Sequence, residues 1–118
     1  MKNWALGFTA GVVLASYLTL SCASSKAQSA EVVDAIEYGI SMGLPPAWAW
    51  RVSRCESGWY AGAYNRSSGA SGLFQFIPST WRATPQGRAG LSPFDPYANA
   101  EAAAWLYRVG GPRHWSCR

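Results

Sequence analysis

The first 27 residues differ in character from the rest of the chain, and this division limits the size of any folded domain. Lys2 gives the start a positive charge, and residues 4–20 contain no charged side chain. Small residues follow at Ser25 and Ala27, which is the layout of a cleaved secretory signal. We therefore predict a signal peptide at residues 1–27 and one domain at residues 28–118, with a modest core.

The apolar segment has alternative interpretations. Residues 4–20 are at the short limit for a membrane span, so a retained anchor or a transient membrane association stays open. Cys22 follows Thr19-Leu20-Ser21, which partly fits a lipoprotein signal, so lipidation at Cys22 is a further alternative. Each interpretation implies export, and we expect a protein that is secreted or held in the cell envelope.

The charge of the remaining chain excludes some partners. Residues 28–118 contain eight arginines, six acids and no lysine. An excess of two positive charges is too small to indicate a nucleic-acid partner, although it is compatible with an anionic polymer. We expect a monomer that binds no nucleic acid.

Two cysteines remain after the signal, and in an oxidising compartment they most simply pair. We predict a disulfide between Cys55 and Cys117. In the chain-entropy model, closing a loop of about 60 residues contributes roughly 4 kcal/mol to stability. The single histidine, His114, cannot form a metal site without clustered ligands, and no nucleotide or flavin motif is present. The sequence therefore predicts no metal and no cofactor.

The spacing of apolar residues predicts two helices in the first half of the domain. The first begins near Ser29, has Val33, Ile36 and Ile40 on one face, and ends at Gly43. The second opens at Pro45-Pro46, where proline suits the first turn of a helix. Its predicted core-facing stripe consists of Trp48, Val52, Cys55 and Trp59.

The second half of the domain is expected to alternate between loops and helices. Residues 60–72 and 84–93 read as loops, and the apolar residues 73–77 form either a strand or a buried loop. A short helix is predicted to start at Pro78. Asp95-Pro96 predicts the capped start of a helix through Arg108, which ends at Gly110-Gly111-Pro112.

Glu56 is the residue that points to chemistry. It lies at the C-terminal end of the second predicted helix among aromatic residues, and Gly72-Leu73-Phe74-Gln75-Phe76 follows. Burial disfavours the charged form of a carboxyl, and a helix C-terminus acts in the same direction. A carboxyl that keeps its proton can protonate a leaving-group oxygen, which is what cleavage of a glycosidic bond requires.

Three motifs carry a family resemblance. Cys55-Glu56-Ser57-Gly58-Trp59, residues 69–81 and residues 95–99 resemble the soluble lytic transglycosylase family of the lysozyme-like superfamily. The cysteine before the glutamate, together with a second cysteine near the C-terminus, also resembles the pattern of resuscitation-promoting factors and related wall hydrolases. The resemblance implies a mostly helical α+β, lysozyme-like single domain with a cleft for peptidoglycan glycan strands. It also implies cleavage of the MurNAc–GlcNAc β-1,4 bond, with the muramic acid's own hydroxyl closing an anhydro ring.

The resemblance implies roles residue by residue. Glu56 would be the general acid and base, and Ser57 would help to orient it. Gln75 would contact substrate or steady Glu56 through its main chain, while Tyr64 and Asn65 would line the cleft. The family's final Tyr-Asn segment is replaced here by residues 109–115, which makes Trp115 the candidate for a cleft wall.

Several of these residues have plainer structural interpretations. Ser57 is equally well explained as a helix-end cap, and Tyr64 as a lid on the core. Trp115 has the alternative of packing beside the disulfide. The other tryptophans that we expect in the core are Trp48, Trp81 and Trp105.

The sequence leaves alternatives open for both the reaction mechanism and the class of protein. None of the other acids is an evident partner for Glu56, which favours the single-glutamate route over two-carboxylate hydrolysis. A water-using lysozyme or phage endolysin stays open, including a membrane-held form in which Cys22 exchanges with the predicted bridge. A wall-binding module without turnover is the alternative outside enzymes. The remaining acids are Glu31, Asp34, Glu37, Asp95 and Glu101.

Overall fold

The computed structural model describes residues 30–118, of which Glu31–Arg118 form one compact unit. The predicted signal at residues 1–27, the anchor at residues 4–20 and the alternatives for Cys22 lie outside the described residues. No helix in the described part of the chain is both long and apolar enough to cross a membrane.

The first helix, α1, covers residues 30–41 of the described chain. Its buried face consists of Val32, Ala35, Ile36 and Gly39, whereas Val33 is 40% exposed. The prediction that Val33 faces the core is therefore wrong by one position, because Ala35 and Gly39 are small enough to let the helix turn that face inward. The chain reverses after α1 at Gly43, whose φ of 120° suits glycine.

Helix α2 spans Pro46–Ser57, and it begins at the proline predicted to open it. Gly58 ends the helix in the left-handed conformation, with its amide donating to the carbonyl of Arg54 at 2.8 Å. Trp48 and Val52 are buried as predicted, but Cys55 is exposed and Trp59 is 43% exposed. The predicted stripe fails beyond Val52, since the turn at Gly58 takes Trp59 out of the helical repeat.

The segment from residue 58 to residue 77 is a series of tight turns. Two isolated antiparallel bridges, Tyr64↔Ser71 and Ser71↔Phe76, fold it back on itself. The described residues contain no strand longer than these single bridges. The fold is therefore mostly helical, and the β part of the predicted α+β class is absent from the described residues. Residues 73–77 are thus the buried-loop alternative, with Leu73 and Phe74 fully buried.

Three short helical elements and one long helix complete the domain. Helix α3 spans Pro78–Ala83 and α4 spans Pro85–Arg88, which corrects the loop predicted for residues 84–93. Thr84 makes α4 possible because its hydroxyl accepts the amide of Gly87. Helix α5 spans Pro96–Gly110, and a 3-10 turn, Gly111–His114, follows it.

Helix α5 is capped as the sequence predicts and forms the centre of the domain. The Asp95 carboxylate accepts the amides of Tyr97 and Ala98 at the start of the helix. A methyl group added at Gly39 of α1 would lie 3.1 Å from the Ala100 Cβ and 3.2 Å from its carbonyl, so α1 and α5 cross almost backbone to backbone. This close crossing depends on small residues, and the buried alanines of α5 are Ala98, Ala100, Ala102, Ala103 and Ala104.

An aromatic cluster fills the other side of α5. Trp48, Trp81 and Trp115 are each 5–7% exposed, and Trp48 packs edge-on against Trp115 with ring centroids 4.8 Å apart. Phe74 and Phe76 complete the cluster from the turn segment. Trp105, which we expected in the core, is only half-buried and packs against the core from outside.

Candidate active site

Glu56 lies on the last turn of α2, where the helix end fixes its backbone. Its side chain is half-buried, and its Oε1 accepts a hydrogen bond of 3.3 Å from the backbone amide of Cys117. The carboxyl is therefore held against the C-terminal segment of the chain, 61 residues away in sequence.

The disulfide explains how that segment reaches Glu56. Cys55 and Cys117 are bonded as predicted, with their Cα atoms 6.0 Å apart. The bridge joins the residue before Glu56 to the residue whose amide contacts the carboxyl. One covalent link thus fixes both the helix end and its hydrogen-bond donor.

Glu56 borders a cavity of about 250 Å³ that the turn segment and the C-terminal segment enclose. Of the predicted site residues, Asn65, Gln75 and Trp115 line the same cavity. Glu56 is the only side-chain carboxyl among the described residues of the lining, and Asp95 caps α5 instead. The remaining lining residues are Ser68, Ala70, Ile77, His114 and Ser116.

Gln75 connects the cavity to the backbone beneath it. Its φ of 51° places it in the left-handed region, which costs free energy for a residue other than glycine. Its side-chain amide donates to the carbonyls of Ala63 and Gly72, at 3.1 and 3.0 Å. Both amide hydrogens are therefore used, and the amide oxygen is the group that remains to accept a hydrogen bond.

Asn99 supports the same turn from below, although it does not line the cavity. Its side chain is fully buried, and its Oδ1 accepts the amide of Phe74 at 2.8 Å. Its Nδ2 donates to the carbonyls of Ser71 and Pro93 at 3.2 and 2.8 Å. A buried polar side chain with three good hydrogen bonds fixes the backbone that it contacts. Asn99 belongs to the 95–99 motif, but its role is not evident from sequence spacing.

Asn65 shapes the loop on the opposite side of the cavity. Its Oδ1 accepts from the amide and hydroxyl of Ser67, at 3.0 and 2.7 Å, while its backbone amide donates to Ala70. This Asx-type turn leaves the Asn65 Nδ2 without a partner among the described residues. The loop therefore presents a donor group on the residue that borders the cavity.

Two predicted site residues do not border the cavity. Ser57 donates its hydroxyl to the carbonyl of Ser53 at 2.9 Å, a hydrogen bond within the last turn of α2. Tyr64 is 59% exposed, and its ring packs edge-on against Phe94 at a centroid distance of 6.5 Å. The lid interpretation of Tyr64 therefore fails, because a lid on the core would be buried.

Trp115 combines a position at the cavity with burial in the core. It borders the cavity, and at 5% exposure it is also part of the core. Its indole nitrogen donates to the carbonyl of Phe74 at 2.9 Å, which ties the C-terminal segment to the turn below Gln75. The cavity wall at Trp115 is consequently rigid.

His114 is the cavity residue that sequence reasoning missed. The sequence pattern raises His114 only as a possible metal ligand. The described residues contain no cluster that could hold a metal ion. Its imidazole packs so closely over Gly110 that a Cβ there would lie 2.2 Å from Nε2. The sequence feature that could have indicated a place at the cavity is the position of His114 beside Trp115, three residues before the cysteine that links the segment to α2.

Comparison with known proteins identifies relatives of this chain. Residues 34–108 match the family model "Transglycosylase SLT domain". The chain is similar to a "Probable transglycosylase SceD" of Staphylococcus epidermidis, 41% identical over 68 residues, covering 55% of this chain and 31% of the relative. It is 38% identical over 68 residues to the protein of the same description from Staphylococcus aureus strain Newman, covering 55% of this chain and 29% of the relative. The match thus spans about a third of these relatives, and no solved structure matches the chain.

Proposed function

The chain belongs to the transglycosylase SLT domain family, and on that premise we propose that it cleaves the MurNAc–GlcNAc β-1,4 bond of peptidoglycan with Glu56 as the single acid and base. The observation that carries this proposal is the lining of the Glu56 cavity, which contains no second side-chain carboxyl among the described residues. Hydrolysis with two carboxylates needs an acid and a nucleophile or base on opposite sides of the bond. A single carboxyl suits a substrate that supplies its own nucleophile.

The proposed reaction has two steps. In the first, Glu56 gives its proton to the oxygen between the sugars, and the C1–O bond of the muramyl residue breaks. In the second, the 6-hydroxyl of the same muramyl residue attacks C1, and its proton returns to Glu56. A 1,6-anhydromuramyl end forms, no water is consumed, and the carboxyl is regenerated.

The geometry around Glu56 suits these two reaction steps. The amide of Cys117 holds one carboxyl oxygen, so the other is available for proton transfer. The free acceptor of Gln75 and the free donor of Asn65 match the hydroxyl and N-acetyl groups of the substrate, and Trp115 offers an apolar edge to a sugar ring. We propose these three as substrate contacts, with the exposed ring of Tyr64 meeting the strand farther out.

The test replaces Glu56 with glutamine, which keeps the size of the side chain but removes its acid. We expect release of soluble fragments from purified peptidoglycan to fall by at least about a hundredfold, since a positioned general acid contributes 10²–10⁴ to a rate. Glu37→Gln is the matched control, because Glu37 is exposed on α1 and far from the cavity lining. Full activity of Glu56→Gln would contradict the proposal.

The product distinguishes the mechanism from its nearest alternative. Mass spectrometry of the released fragments should find anhydromuramyl ends, which are lighter by one water than reducing ends. Reducing ends would instead indicate a water-using lysozyme or endolysin. Retention of the protein on the wall without any fragment release would indicate a binding module. Because peptidoglycan lies outside the cytoplasmic membrane, the proposal also places the working enzyme in the envelope or outside the cell.

A further inference from the structure

A second recess lies on the face of α2 that turns away from the core. Its volume is about 570 Å³, and it is lined by Ala47, Trp50, Arg51, Arg54, Cys55 and Trp59. None of these residues borders the Glu56 cavity, although Cys55 is the neighbour of Glu56 in sequence. We call this recess the α2 groove.

The conformation of Trp59 is not explained by burial in the core. Its φ is 60°, a left-handed conformation that is an outlier for a bulky residue, yet its ring remains 43% exposed. The indole nitrogen donates to the carbonyl of Trp50 at 3.3 Å, and the two rings meet edge-on at 6.2 Å. The fold thus maintains a strained backbone to hold an aromatic ring at the surface. Backbone strain of this kind clusters at functional sites.

The charge of the α2 groove identifies the kind of ligand. The Arg54 guanidinium lies 5.5 Å from the centre of the Trp59 ring, and Arg51 lines the groove beside it. No carboxyl lines the groove among the residues that the structure describes. An aromatic face combined with two guanidinium groups suits a glycan strand whose stem peptides carry carboxylates, because a sugar ring stacks on the aromatic face while a peptide carboxylate pairs with arginine.

We propose that the α2 groove is a second binding site for the acidic glycan strand, separate from the site of cleavage. This inference rests on the proposed function, since the ligand is the same polymer. A strand is long enough to occupy the Glu56 cavity and to reach the groove beyond the Cys55–Cys117 bridge. The groove takes the carboxylate-bearing parts of the strand, and the Glu56 cavity takes the bond to be cleaved.

The first test measures binding in a Glu56→Gln background, so that no cleavage occurs. The probe is peptide-bearing glycan strand released from purified wall by an endopeptidase. Trp59→Gly should weaken binding by at least about fivefold, which is typical for loss of an aromatic anchor. Since glycine adopts a φ of 60° freely, the relief of backbone strain offsets the loss of the contacts with Trp50 and Arg54, and the midpoint of thermal unfolding should change little. A lower midpoint together with unchanged binding would show that Trp59 serves packing, and would overturn the proposal.

The second test concerns charge. Arg51→Gln/Arg54→Gln should weaken strand binding and reduce its salt dependence, but it should leave binding of a neutral β-1,4 N-acetylglucosamine hexamer unchanged. Arg88→Gln is the matched control, because Arg88 is exposed at the end of α4 and outside the groove. An equal loss for strand and hexamer would overturn the assignment of a carboxylate ligand. Loss of binding to phosphatidylglycerol vesicles, with strand binding intact, would assign the groove to membrane contact instead and overturn the proposal.

The two proposals fail in different ways. In the chain that retains Glu56, Trp59→Gly should still cleave short soluble fragments, because these do not reach the groove. Loss of strand binding with retained cleavage supports the second site. Unchanged strand binding by Trp59→Gly and by the double arginine variant would refute the α2 groove as a binding site. The proposed role of Glu56 would not be affected.

Discussion

Removal of the Cys55–Cys117 bridge should have the largest effect on stability of any change that leaves the core intact. The bridge joins residues 62 apart in sequence. In the chain-entropy model, closing a loop of that length removes about 14 cal/mol/K from the unfolded chain. At 25 °C this corresponds to about 4 kcal/mol of stability. We therefore expect Cys55→Ser/Cys117→Ser to lose about 4 kcal/mol in free energy of unfolding.

This loss is large for a domain of this size. Small domains unfold with a free energy near the lower end of 5–15 kcal/mol, so about 4 kcal/mol is most of what is available. In such a domain each 1 kcal/mol shifts the melting midpoint by roughly 4–8 °C. The variant should therefore melt roughly 15–30 °C below its parent. Fragment release should also fall, because the Cys117 amide is no longer held against Glu56.

The assay is guanidinium chloride unfolding, followed by tryptophan fluorescence. Parent and variant both carry Cys22→Ser, so that the bridge is the only pairing available to the parent. Reduction of the parent with dithiothreitol should reproduce the loss seen in the variant. A difference below about 1 kcal/mol, the size of an average point mutation, would refute the reasoning. It would mean that the core alone holds the C-terminal segment in place.

The remaining predictions concern the turn beneath Gln75. Asn99→Ala should cost about 3 kcal/mol or more in urea unfolding, because it leaves the buried amide of Phe74 and two carbonyls unpaired; a loss below about 1 kcal/mol would show that water replaces the side chain. Gly72→Ala should be more severe still, since its Cβ would lie 2.2 Å from the Pro93 carbonyl and 2.3 Å from Asn99 Nδ2. Gly90→Ala is its control, with a φ of 78° and no atom within 4 Å, so it should cost only about 1–2 kcal/mol for the left-handed backbone. Equal melting midpoints for the two alanine variants would contradict the close approach at Gly72.

Local signals in the sequence were sufficient where a single residue determines the backbone. Pro46 opens α2 and Asp95 caps α5 as predicted, because fixed φ angles and side-chain caps act within one turn. The disulfide was predictable since only two cysteines follow residue 27. Glu56, Asn65, Gln75 and Trp115 border one cavity, and their roles in the reaction stay predictions.

The predictions that differ from the structure have both local and tertiary causes. Trp59 continues the apolar spacing of α2, but the left-handed turn at Gly58 carries it to the surface. Helix α4 was missed because its four residues contain a proline and a glycine, and only the Thr84 cap makes the turn helical. His114 was not predicted to border the cavity, since its place there depends on the fold of the C-terminal segment.

The near contact of Gly39 with Ala100 determines where the domain can adjust to the proposed strand. Two helices that touch through glycine and alanine have no long side chains to change rotamer, so they cannot slide past each other without a steric clash. Asn99, the neighbour of Ala100, in turn fixes the turn that carries Gln75. The turn beneath the cavity is therefore held rigidly, and adjustment to the proposed sugar ligands would have to come from the exposed loop around Asn65.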